Sequence, residues 1–105
     1  MKIIQTQNLL AEKKVARAKA LSFSQGDVMN LQIKAGEKVA RHHTPCDAIV
    51  VIIKGKVLFT GGDEQVDVKP GMFLHLDPGE EHELEGVEDA SLLVVKVGGN
   101  TSCTV

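Results

Sequence analysis

The residues best suited to chemistry fall in two places along the chain. His42, His43, Thr44 and Cys46 stand close together, and His82 stands alone much later. Two imidazoles and a thiolate form a usable donor set for a divalent transition metal such as Zn, Fe, Mn, Ni or Cu. His42, His82 and Cys46 would be its ligands, with His43 able to stand in if the strand shifts. The competing reading makes His42 and His82 a polar pair lining a pocket for a small organic molecule. Strand alternation limits the metal reading. If His42 faces an interior, so do Thr44, Cys46, Ala48 and Val50, whereas His43 and Asp47 face away. Leu84 shares the parity of His82, but Glu81, Glu83 and Glu85 do not, so no carboxylate joins the histidines. Pro45 lacks a backbone donor and loosens the alternation around Cys46.

Strands must position these groups. Asp27 to Lys34 alternates, with Val28, Asn30 and Gln32 on one face and Met29, Leu31 and Ile33 on the other. Val15 to Phe23 mixes basic, small and apolar residues, as an edge strand does. Ala48 to Ile53 is apolar at every position and Leu92 to Val97 nearly so, which predicts burial of both faces. Gly61-Gly62-Asp63, Lys69-Pro70-Gly71 and Asp77-Pro78-Gly79 are turn sequences between short strands, as is Ala35 to Lys38. Asn8 is placed to cap one short helical turn over Leu9 to Ala11. The expected fold class is all-β, a barrel or sandwich. Residues 1–24 form a turn and edge strand of the same domain, 25–97 the barrel, and 98–105 a loose tail.

The order and spacing of Gly36, His42, Gly55, Gly71, Gly79 and His82 resemble the two motifs of the cupins. Gly36 is followed by five residues and His42, and Gly55 closes the first motif. Gly71 is followed by five residues, Asp77-Pro78-Gly79, two residues and His82. The 15 residues between Gly55 and Gly71 fit a short linker of that family. The resemblance is to small, single-domain, RmlC-like cupins and implies a double-stranded β-helix, a jelly-roll-like antiparallel barrel. In metal-binding cupins the first motif supplies two histidines and a glutamate and the second one histidine. Here His42 and His82 match, but Thr44 stands at the second histidine position and Ala48 at the glutamate position.

Composition narrows the function classes. The 105-residue chain has room for one domain and one core, filled by 43% hydrophobic residues of which few are aromatic. A net charge of −2 without a basic cluster, and 3% aromatics, argue against nucleic acid as a partner. No apolar run is long enough to cross a bilayer, and Met1 to Thr6 lacks the apolar core of a signal peptide, so the expected location is cytoplasmic. In that compartment a Cys46–Cys103 disulfide is not expected. Met29, Met72 and Phe73 are expected in the core and His75 on the outside. Arg17, Lys19 and Arg41 are candidates for an anion at the barrel mouth, with solvated surface charge as the default. Two functions stay open: a binding module holding a small organic ligand around His42, Thr44, Ala48 and His82, or a metal-dependent enzyme of dioxygenase or isomerase type on a reduced ligand set. The doubly apolar strands predict a homodimer, because a barrel lines its interior with one face of each strand.

Overall fold

A computed structural model describes residues 1–98. Nine strands follow in order: β1 Val15–Phe23, β2 Gly26–Ile33, β3 Lys38–His42, β4 Asp47–Lys54, β5 Val57–Gly61, β6 Glu64–Val68, β7 Phe73–Leu76, β8 His82–Gly86 and β9 Ala90–Val97. They form a five-stranded sheet in the order β1-β2-β9-β4-β7 and a four-stranded sheet in the order β3-β8-β5-β6. Every pairing is antiparallel. Apart from the β1–β2 and β5–β6 hairpins, successive strands cross between the sheets, which makes the jelly-roll arrangement expected of the all-β barrel. The hydrogen-bonded ladder is not continuous around the molecule, however. Two sheets face each other across the core.

Strand alternation decides what fills that core. Leu31 and Ile33 of β2, Ala48, Val50 and Ile52 of β4, and Leu92 of β9 point inward from the large sheet and are buried. Val57, Phe59 and Leu84 meet them from the small sheet. These side chains are aliphatic save for Phe59, and each gains roughly 1.5–3 kcal/mol on full burial. The turns end the strands as their glycines dictate. Gly55 has φ of +80°, and a Cβ there would also run into the backbone of Asp89 and Ala90. Both features exclude other residues from the β4–β5 turn.

Some expectations need correction. Asn8 does hold a turn, its Oδ1 accepting from the Leu10 amide at 3.0 Å, but the chain does not go on into a helix there. Phe73 is not core. It is 72% exposed, because β7 turns Leu74 and Leu76 inward and so turns Phe73 and His75 outward. The outer faces of β4 and β9 are not fully buried within one chain: Ile49, Ile53 and Val97 are exposed. The N-terminal segment is anchored on β2, where Gln32 donates to the Gln7 carbonyl at 2.6 Å and accepts from the Leu9 amide at 2.8 Å, and it flanks Ile53 and Ser91 without burying the rest of that face. Among the described residues no helix is long and apolar enough to cross a membrane. The tail assigned to 98–105 lies outside the described residues beyond Gly98, as does Cys103.

Candidate functional site

The cavity between the sheets, about 180 Å³, gathers the residues singled out in the sequence. His42 ends β3 and His82 begins β8, and the two are register partners across that pair of strands. Their rings meet edge to face with centroids 4.2 Å apart. His82 is buried and stacks on Phe59 of β5 at 5.6 Å, whereas His42 keeps its outer edge in solvent. Each ring is oriented by a backbone carbonyl two residues earlier. Nδ1 of His42 lies 2.8 Å from the Ala40 oxygen and Nδ1 of His82 lies 3.1 Å from the Glu80 oxygen. A carbonyl accepts only, so Nδ1 carries the proton and Nε2 is the lone-pair nitrogen in the neutral ring.

Burial lowers the pKa of His82 below its ordinary value by stripping water from the imidazolium, and the charges of His42 and Lys96 add to this. The Glu80 carbonyl and carboxylate work against the shift without reversing it. His82 is therefore neutral at pH 7, a lone-pair acceptor facing an apolar wall.

Between β3 and β4 the chain leaves strand geometry at residues 43–46, next to Pro45. The Gly79 amide pins this loop by donating to the Thr44 carbonyl at 2.8 Å, so the turn of the second motif fixes the backbone of the first. Thr44 is 6% exposed and lines the cavity. Its hydroxyl oxygen is the single buried side-chain polar atom without a hydrogen-bond partner among the described residues. Such an orphan costs about 1–3 kcal/mol, which is the kind of cost a binding site carries until its ligand arrives. Ala48 is buried and leaves space where a longer side chain would stand.

The structure brings His42, Thr44, Ala48 and His82 together in one cavity wall. Cys46 is buried but does not line that cavity, and it already has an interaction. His43 does line it, contrary to strict alternation, because the loop breaks the strand before it. Arg17 reaches the cavity, as does Lys96, which sequence reasoning passed over although it shares the parity of Leu92 and Val94. Lys19 and Arg41 are instead paired, with Asp27 at 3.8 Å and Glu83 at 3.2 Å.

A metal at the position implied by the motifs would find the imidazoles of His42 and His82, a hydroxyl and a methyl group, because the third histidine of the lining, His43, does not converge with both of them. No carboxylate lines the cavity to offset the ion's charge or complete its shell. The donor set does not fit a tightly held divalent cation. One group of three metal-ligating side chains does exist among the described residues, elsewhere. Asp47, His75 and Asp77 have ligand atoms within 4.8 Å of one another, on the exposed outer side of β4 and β7. His75 Nε2 already lies 2.7 Å from Asp47 Oδ1, and Nδ1 lies 4.0 Å from Asp77 Oδ1. The outward histidine expected from the sequence thus belongs to a surface cluster that could hold a cation, separate from the cavity.

The architecture is shared with solved structures. A conserved protein of unknown function from Streptococcus pyogenes superposes with a TM-score of 0.77 at 20% identity, over 96% of this chain and 98% of its own. An RmlC-like cupin with a double-stranded β-helix fold from Methanocaldococcus jannaschii gives 0.77 at 16% identity, over 94% and 92%. KdgF from Halomonas sp. gives 0.75 at 16% identity, over 90% and 87%. At these identities the likeness is one of fold. No curated protein matches the sequence. The family model described as the cupin domain matches residues 28–97, from the second strand through the ninth, and the chain therefore belongs to the cupin family.

Proposed function

We propose that this cupin binds a small organic molecule in the cavity between its sheets, as a binding module rather than a metal-dependent enzyme. The observation that carries this reading is the buried, unpartnered hydroxyl of Thr44 in a largely aliphatic cavity beside two imidazoles held by backbone carbonyls. Apolar walls with a few placed polar groups are the usual make-up of a small-molecule site. Amide spectra of labelled protein, recorded with pooled polar metabolites, test it. Shifts at Thr44, His82 and Leu84 are expected. A library that moves none of them overturns the reading.

A second reading keeps a metal-dependent reaction of dioxygenase or isomerase type, favoured by the two Nε2 lone pairs. Elemental analysis of untagged His75→Ala protein, in which the surface cluster is broken, separates the two. Stoichiometric metal that survives dialysis against a chelator would support the second.

The outer face of the large sheet supports a further assembly. We propose that two copies pair through it. Ile49, Phe73 and Val97 are exposed there, as is Ile53, which lines a surface groove together with Gln7, Leu10 and Ala11 of the N-terminal segment. A two-fold contact needs only one self-complementary surface, and apolar side chains exposed together on one sheet face are what such a contact would cover. Light scattering at micromolar concentration should give the mass of two chains. A single-chain mass that does not change on concentration would contradict the pairing.

A further inference from the structure

The ionisable side chains that line the cavity are all basic, while the Glu80 carboxylate acts on His82 from outside that lining. Five basic side chains line it, Arg17, His42, His43, His82 and Lys96, and no Asp or Glu does. The other cations near the same end are neutralised: Lys19 has Asp27, itself held by the Ser22 hydroxyl at 2.6 Å, and Arg41 has Glu83. Arg17 and Lys96 have no carboxylate within 4.0 Å among the described residues. Both project from the inner face of the large sheet. Arg17 is in register with Leu31, and Lys96 shares the parity of Leu92 and Val94. Two such cations on the wall of a largely apolar cavity leave positive potential inside it, since low-dielectric walls focus the field. Lys96 lies close enough to His82 for its charge to help lower the pKa of that ring.

The floor has the opposite character. Leu31, Val50, Leu76, Leu84 and Phe59 offer only hydrocarbon. A bare inorganic anion would meet the cations but leave this surface unfilled, and a neutral hydrocarbon would leave the cations unanswered. We infer that the cavity selects a short-chain organic carboxylate, its apolar body on the aliphatic floor and its charged end toward the basic side chains Arg17 or Lys96. This rests on the reading of the cavity as a ligand site. The planar guanidinium of Arg17 suits a carboxylate, which it can meet with two parallel hydrogen bonds. The Thr44 hydroxyl and the imidazole Nε2 atoms add places for a hydroxyl or oxo substituent on the same molecule.

The probes are butanoate, its neutral isostere butanamide, and inorganic phosphate, each titrated into labelled protein while the amides of Thr44, His82 and Leu84 are followed. Butanoate should bind about tenfold or more tightly than butanamide, and phosphate should not displace it. Replacing both cations, Arg17→Gln with Lys96→Gln, should cost butanoate about tenfold in affinity and leave butanamide unchanged. Should the double variant fail to fold, Lys96→Met alone keeps the side-chain stem and should show part of the loss. Equal binding of acid and amide, or butanoate affinity indifferent to the substitutions, overturns the carboxylate class but leaves the cavity a ligand site. Phosphate binding more tightly than butanoate overturns it as well. If neither these probes nor the pooled metabolites move the three amides, the ligand-site reading fails and the inference falls with it.

Discussion

Replacing Thr44 by Val should stabilise the ligand-free protein. The two side chains have the same shape and branching, so the loop backbone at residue 44 and its bond from the Gly79 amide stay in place. The Thr44 hydroxyl is buried and makes no hydrogen bond among the described residues, so the substitution removes no bond. It removes instead the desolvation cost of an unsatisfied polar group, about 1–3 kcal/mol, and adds apolar contact on the cavity wall. The smaller end of that range is the safer expectation, since Thr-for-Val exchanges carry some repacking. For a domain of this size about 1 kcal/mol corresponds to a rise in Tm of roughly 4–8 °C. Urea unfolding at pH 7 gives the quantity directly, with an unchanged m value showing that the denatured state is the same. Stabilisation should accompany weaker binding of any polar ligand. A Val variant less stable than the parent by about 1 kcal/mol or more would show that the hydroxyl is satisfied in solution, and would refute the reasoning that makes Thr44 a ligand contact.

Other perturbations test separate parts of the structure. The His82 pKa is lowered chiefly by burial, so the unfolded chain takes up a proton near pH 6.5 that the folded protein refuses. The stability His82 protects is therefore full above about pH 6.5 and is lost as pH falls below it, levelling off under the folded pKa. The urea midpoint of the parent should drop more between pH 7 and pH 5 than that of His82→Asn; equal or opposite slopes would contradict the assignment. Gly55→Ala forces a Cβ into a positive-φ turn against the Asp89 backbone and should cost at least about 1–3 kcal/mol by the same assay; a neutral result would mean that the β4–β5 turn is built differently. Phe73→Glu touches a side chain that is 72% exposed, so it should change monomer stability by less than about 0.5 kcal/mol while reducing the scattering mass to one chain. An unchanged mass would move any interface away from β7.

How much of the fold and site was legible in the sequence depended on how local the signal was. The alternation in β2 and the apolar runs Ala48 to Ile53 in β4 and Leu92 to Val95 in β9 identified their strands, because a single face or pair of faces dictates residue type. The positive-φ glycines at 55 and 71 marked turns for a steric reason that needs no tertiary context. The convergence of His42 and His82 was legible only through the spacing of both motifs, since the β3–β8 register joins residues far apart in the chain. Other features depend on three-dimensional context. His43 lines the cavity because the chain leaves strand geometry after His42, which alternation cannot foresee. Phe73 was assigned by its hydrophobicity, although the same parity that placed His75 outside required Phe73 to follow it. Lys96 carried the opposite signal: a cation at an inward position of an apolar strand indicates a cavity edge, and its parity was readable. The Asp47–His75–Asp77 cluster depends on the pairing of β4 with β7, in which Ile49 faces His75. That long-range register leaves no mark in either segment.

The most direct measurement of the central claim is a long-range nitrogen–proton spectrum of the histidine imidazoles. It should be recorded for the free protein, with pooled polar metabolites, and with one equivalent of zinc. The free protein should show His82 as a neutral ring protonated at Nδ1, and His42 with its Nδ1 proton on the Ala40 carbonyl. The metabolite pool should shift the His82 Nε2 signal, and zinc should leave both Nε2 signals where they are. If zinc moves both signals at stoichiometric addition and the metabolites move neither, the cavity is a metal centre and not a site for an organic ligand.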